Sequence, residues 1–162
     1  IYSNLKEKNI LNDLPKKLSK YLKYIYDENY KRNEILGLEI IKISKIFKKE
    51  KIEHLFLKGS AMLIGGFYKN KGSRMIGDID ILVKENDIGK AVHALSSLGY
   101  RNENQYSLTR LKYIPQSHQM PVLINKNKTQ IDLHFRITRP DIYKKCPLTD
   151  NFFMNYDISI LF

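Results

Sequence analysis

Cysteine is nearly absent. The single thiol, Cys146, has no internal partner, so the chain has neither a disulfide framework nor a Cys-based zinc site. A reducing, cytoplasmic setting is the expectation. No apolar run approaches the roughly 20 residues that cross a bilayer, and no membrane association is expected. The start, Ile1-Tyr2-Ser3-Asn4, carries neither an initiator methionine nor a signal-peptide pattern. That suggests an excised piece, with more chain expected at either end. Arginine is also scarce. The 28 basic residues are mostly lysine, with Arg32, Arg74, Arg101, Arg110, Arg136 and Arg139 as the exceptions. A net charge of +11 ordinarily points to nucleic acid through counterion release. Nucleic-acid readers favour the bidentate arginine fork, however. The joint abundance of Lys, Asn, Ile and Tyr also marks an AT-rich coding sequence, so the charge alone does not make RNA or DNA the substrate.

What is present suffices for a folded domain. The chain has 162 residues, 43% of them hydrophobic, enough for one core without metal or disulfides. The first fifty residues read as helices. Leu5, Ile10, Leu11, Leu14, Leu18, Leu22 and Ile25 recur at near-helical spacing, with Pro15 as a break or first-turn position. A second, longer helix is expected from about Asp27. Its apolar stripe is Ile35, Leu38, Ile41, Ile43, Ile46 and Phe47, and Lys42, Lys45, Lys48 and Lys49 form a solvated face.

From Ile52 the texture changes. His54 to Leu57 suits a buried strand closed by Lys58-Gly59. Ser60 is a candidate cap for a short helix from Ala61 to about Phe67, and Tyr68 to Arg74 is a polar loop. Asp78 to Val83 reads as a strand with Ile79 and Ile81 opposite the aspartates. Asn86 or Asp87 is a candidate cap for a helix from Ile88 to Leu98 that stops at Gly99. A further helix is expected from Tyr106 to Tyr113. Val122 to Ile124 and Ile131 to Phe135 form a hairpin around Asn125 to Lys128. The fold class is α+β, a small mixed sheet with an N-terminal helical segment. The expected organisation is a helical segment over 1–51, a core over 52–140, and over 141–162 the start of a C-terminal region. The apolar ending Ile158 to Phe162 awaits further chain to pack on.

Two aspartates at i and i+2 of one strand share a face. Such carboxylates repel unless a cation lies between them, and Mg²⁺ takes one or two protein carboxylates plus phosphate oxygens. Asp78 and Asp80 are therefore a candidate magnesium pair, against the alternative of turn caps or partners of Arg74. Gly59-Ser60 sits where a strand turns into a helix, a place for an anion such as phosphate, although a plain N-cap is the more common explanation of such a pair. Asp132 lies within an apolar strand, where an unpaired carboxylate is costly. The alternative is an edge position facing water.

These elements together resemble the nucleotidyltransferase superfamily that includes DNA polymerase β. There a helix opened by Gly-Ser precedes a strand with two acids, and a third acid follows on a neighbouring strand. The stretches Leu57-Lys58-Gly59-Ser60-Ala61, Arg74-Met75-Ile76-Gly77-Asp78-Ile79-Asp80-Ile81-Leu82-Val83, Leu98-Gly99-Tyr100 and Ile131-Asp132-Leu133-His134 are similar to a bacterial subgroup described as uncharacterised nucleotidyltransferases. The resemblance covers roughly Ile52 to Arg136. It departs from the pattern in a longer gap between Gly59 and Asp78, and in Asp132, where the subgroup often carries Glu.

The resemblance implies transfer of an NMP group from an NTP, ATP being the most available, to an acceptor hydroxyl. Pyrophosphate leaves, and two Mg²⁺ or Mn²⁺ ions clamp the reacting oxygens. It makes Asp78, Asp80 and Asp132 the catalytic and metal-binding set. Gly59, Ser60, Arg74 and Lys58 become the nucleotide-binding candidates. His134 shares a face with Asp132, which makes it a candidate acceptor contact or supporting group, a hydrogen-bonded structural histidine being the commoner role. His118 and Gln119 are candidates for the acceptor side, while His54 and His93 read as structural. The acceptor is a small molecule, a protein or RNA, and the last two would fit a toxin with an antitoxin partner. Two other readings remain open: a nucleotide-sugar glycosyltransferase with a metal-binding Asp-x-Asp, and an inactive RNA- or protein-binding module.

Overall fold

The structure is a computed structural model that describes residues 1–102 and 117–137. The expected helix from Tyr106 to Tyr113 and the C-terminal region over 141–162 lie outside the described residues. A short helix α1 (Tyr2–Glu7) leads to a turn at Leu11–Asp13 and then to a 34-residue helix, α2 (Lys16–Lys49). Two helices divided near Asp27 were expected. The structure has one, because Pro15 is the N-cap, its carbonyl accepting from Leu18 and Ser19, and the polar residues after Asp27 contain no breaker. The helix ends where Lys51 adopts φ 56° and Ile52 N–H returns to the Phe47 carbonyl at 2.8 Å, a left-handed C-terminal stop.

Beyond it lie β1 (His54–Phe56), α3 (Lys58–Ile64), β2 (Ile79–Val83), α4 (Ile88–Ser97), β3 (Arg101–Asn102), β4 (Leu123–Ile124) and β5 (Gln130–His134). Among the described residues the strands make one mixed sheet in the order β1-β2-β5-β4-β3. Only β2 and β5 pair in parallel, as a connection through α4 allows. The β4–β5 hairpin forms as expected. Asn125 Oδ1 accepts from the backbone N–H of Asn127 and Thr129, so the turn is specified by one side chain.

One face of the sheet is core. Ile79, Ile81, Val83, Ile131 and Leu133 are sealed beneath Leu36, Ile40, Ile43 and Phe47 of α2 and Ala91, Ala94 and Leu95 of α4. Here α2 departs from its expected orientation. Ile35, Leu38 and Ile41 are 52%, 61% and 46% exposed, while Asn33, Glu39 and Ser44 are buried. Each of these polar residues has a hydrogen-bond partner from elsewhere in the fold, although among the described residues Asn33 Oδ1 has none. Glu39 accepts from Tyr100 Oη at 2.9 Å, Ser44 meets His54 Nε2 at 3.3 Å, and Asn33 donates to loop carbonyls. Hydrogen-bonded polar groups can occupy core positions at little cost, and the helix rotates accordingly. Gly99 stops α4 at φ 88° and turns Tyr100 into the core. Among the described residues no helix is long and apolar enough to cross a membrane.

Candidate active site

The other face of the two central strands carries the acids. Asp80 and Asp132 are register partners across the parallel β2–β5 pair, as are Leu82 and His134. Alternation places Asp80, Asp132 and His134 on one side, with Ile79, Ile81, Ile131 and Leu133 on the core side. Asp78 lies just before β2, at the mouth of the same face. Asp80 is buried, whereas Asp78 and Asp132 are half-buried.

Asp80 is the hub. Its Oδ1 meets Lys58 Nζ at 2.6 Å and His134 Nε2 at 3.0 Å. Burial pushes its carboxyl up, but the hydrogen bonds from His134 and Lys58 outweigh that and hold it below the ordinary value. Asp78 goes the other way. Partial desolvation raises its carboxyl, and the charges of Asp80 and Asp132 raise it further. Asp132 accepts a 3.4 Å contact from Gln119 Nε2. His118 lies beside His134, ring centroids 5.6 Å apart. Both residues named for the acceptor side thus arrive at the site.

Lys58 opens α3 with φ 49°, a left-handed conformation that costs a side-chain-bearing residue roughly 1 kcal/mol. The strained backbone coincides with an ammonium set among the acids. The expected Ser60 cap is not found. Leu57 is the N-cap, and the helix ends at Ile64 before the glycine pair. Ser60 is instead fully buried. Its Oγ accepts from Asp80 N–H at 3.1 Å and reaches the Asp78 carbonyl at 3.4 Å, tying α3 to the acid-bearing segment. Gly59 packs against Ile76, whose Cγ2 would lie 3.3 Å from an added Cβ. Arg74 is exposed, and among the described residues it forms no ion pair with Asp78 or Asp80. His54 is a core group, edge-on to Phe47 and Phe56, and His93 is exposed.

The long segment between Gly59 and Asp78 has a structural explanation. It includes a tight turn at Lys71–Ser73 and lies along α2, where Arg32 and Asn33 donate to its carbonyls. Sequence reading missed both residues. Their only signal was a polar stretch, Asp27 to Glu34, inside a helix whose neighbouring turns are apolar.

Ligand atoms of Asp80, Asp132 and His134 lie within 4.8 Å of one another. Two carboxylates with a third beside them make an oxygen-rich set suited to a hard cation such as Mg²⁺ or Mn²⁺. His134 already meets a carboxylate oxygen, the usual arrangement of a group that orients a ligand. The residues present fit a divalent ion at this place. No curated protein and no solved structure matches the chain. A family model described as uncharacterised nucleotidyltransferase matches residues 1–158, and the chain belongs to that family.

Proposed function

We propose that the chain transfers a nucleoside monophosphate from a nucleoside triphosphate to an acceptor hydroxyl, with Asp78, Asp80 and Asp132 holding the required Mg²⁺ or Mn²⁺. The observation that carries this reading is the register pairing of Asp80 with Asp132 on adjacent parallel strands, Lys58 Nζ lying 2.6 Å from Asp80. A cluster of partly buried carboxylates destabilises a fold unless it is used. Divalent metal bound there supplies charge neutralisation on the phosphoryl oxygens and a lowered pKa at the acceptor hydroxyl.

The chain's own groups do the rest. Lys58 neutralises Asp80 before substrate arrives and is placed to meet the triphosphate. Gly59 brings backbone close to that phosphate chain. Ser60, its hydroxyl committed to Asp80 N–H, contributes by fixing the turn and the acids together. Arg74, exposed at the end of the loop, is a cation for the β- and γ-phosphates. Asp132 faces the acceptor, with Gln119 and His118 beside it, and His134 keeps Asp80 oriented. The acceptor oxygen attacks the α-phosphorus in line, and the bond from that phosphorus to the β-bridging oxygen breaks. Pyrophosphate leaves, and the hydroxyl proton passes to solvent water on the Asp132 side. ATP is the donor to try first.

The test is label transfer. The protein is incubated with each α-³²P nucleoside triphosphate, Mg²⁺, and separate pools of RNA, protein and metabolites. Labelled product in one pool with equimolar pyrophosphate supports the reading. Release of free nucleotide alone, or no turnover in any pool, counts against it, and the second result favours a binding module.

A further inference from the structure

We propose that Arg32, assisted by Asn33, is a positioning residue that sets Asp78 against Asp80 and Asp132; this rests on the reading of the site given above. Asp78 precedes β2, so no strand pairing fixes it. Its position depends on the segment that leads into it.

That segment is held along one face of α2. Tyr26, Asn29 and Asn33 recur at i, i+3 and i+7, the spacing of a helical stripe, and Arg32 flanks them. At the near end an added Cβ on Gly72 would lie 2.6 Å from the Tyr26 carbonyl, so only glycine permits the approach. Asn33, 1% exposed, donates from Nδ2 to the carbonyls of Lys71 and Arg74 at 2.6 and 2.7 Å. At the far end the Arg32 guanidinium spans two successive carbonyls, Nε to Ile76 and Nη2 to Gly77, both at 2.7 Å. A planar fork fixes such a pair in direction as well as distance. The next residue is Asp78.

On its other side Asp78 is tied by Ser60 Oγ, 3.4 Å from its carbonyl. The residue is therefore gripped before and behind. The grip acts against a real force, because the Asp78 carboxylate is repelled by Asp80 and Asp132. Without Arg32 the loop relaxes outward and the three acids separate.

The experiment compares the parent with Arg32→Ala and Arg32→Lys. Arg32 is exposed on a helix, so alanine leaves folding intact. Asn33 is buried and would confound the test. Three readouts are taken on metal-free protein: melting temperature, amide exchange at residues 76–80, and Mn²⁺ affinity by electron paramagnetic resonance. The expected result for Arg32→Ala is faster exchange confined to Gly77 and Asp78, and Mn²⁺ affinity lower by about tenfold. The melting temperature holds or falls by a few degrees at most, with exchange across the rest of the sheet unchanged, and lysine, which keeps a donor but not the fork, falls between. Unchanged Mn²⁺ affinity in Arg32→Ala overturns the inference and leaves the reading of the site standing. So does a loss that tracks a lower melting temperature and faster exchange across the whole sheet. A parent that takes up no Mn²⁺ overturns the reading of the site itself, and the inference with it.

Discussion

The ammonium of Lys58 lies 2.6 Å from Oδ1 of Asp80, yet the lysine side chain is 64% exposed and the aspartate 4%. One end of this pair is anchored in the protein and the other is free to leave. Lys58 therefore brings a positive charge to the acid cluster, from a backbone at φ 49°. Its own pKa is raised, chiefly by the hydrogen bond to Asp80, so it stays charged throughout the neutral range.

Replacing Lys58 with methionine separates its two roles. Triphosphate binding in Mg²⁺ is expected to weaken roughly ten- to a hundredfold, the loss of one charge-assisted hydrogen bond. Mn²⁺ binding without nucleotide is expected to hold or strengthen, since the competing ammonium is gone. Calorimetry of both ligands checks this, and parallel losses in both would contradict it.

Asp78 gives a prediction of opposite sign for stability and function. Its carboxyl is raised by partial desolvation and by its two neighbours. A raised carboxylate pKa means that stability from this group is present below the unfolded value of 3.8 and is lost as pH rises through the folded value. At neutral pH the charge is therefore a burden. Asp78→Asn is expected to raise the melting temperature of metal-free protein while weakening divalent-metal binding. Thermal melts with and without Mg²⁺ check both halves, because a ligand that binds only the folded state stabilises it.

Much of the candidate site's geometry was legible in the sequence, for a definable reason. Asp78, Asp80 and Asp132 interrupt apolar runs at a period that puts acids on one face and Ile79, Ile81, Ile131 and Leu133 on the other, and that contrast survives without knowledge of contacts. The orientation of α2 was not legible. Asn33, Glu39 and Ser44 take core positions because Arg74, Lys71, Tyr100 and His54 meet them. Those partners lie outside the helix, and no helical period encodes them. Ile35, Leu38 and Ile41 look like core by the same period and face outward. The two-residue strand β3 was missed, being too short to show alternation. Ser60 was placed as a cap by local rules, and the nearby backbone of Asp80 claimed its hydroxyl instead.

His54 supplies a pH dependence independent of the site. It is buried between Phe47 and Phe56, and desolvation lowers its pKa, with Lys48 adding to this against the bond to the Ile52 carbonyl. A depressed histidine contributes stability above its unfolded value of 6.5, lost as pH falls from there through the folded value. The melting temperature should drop between neutral pH and about pH 5. His54→Phe should flatten that slope. An unchanged slope in the variant would assign the pH dependence to other groups.

The most direct test of the central claim is calorimetric titration of each nucleoside triphosphate in Mg²⁺, for the parent and for Asp80→Asn. The substitution keeps the shape of the side chain and removes the charge that Lys58 and His134 meet. Mg²⁺-dependent binding of at least one triphosphate is expected for the parent, and its loss for the variant, with both proteins folded. Equal binding by the two proteins, or none by a well-folded parent, would contradict the central claim.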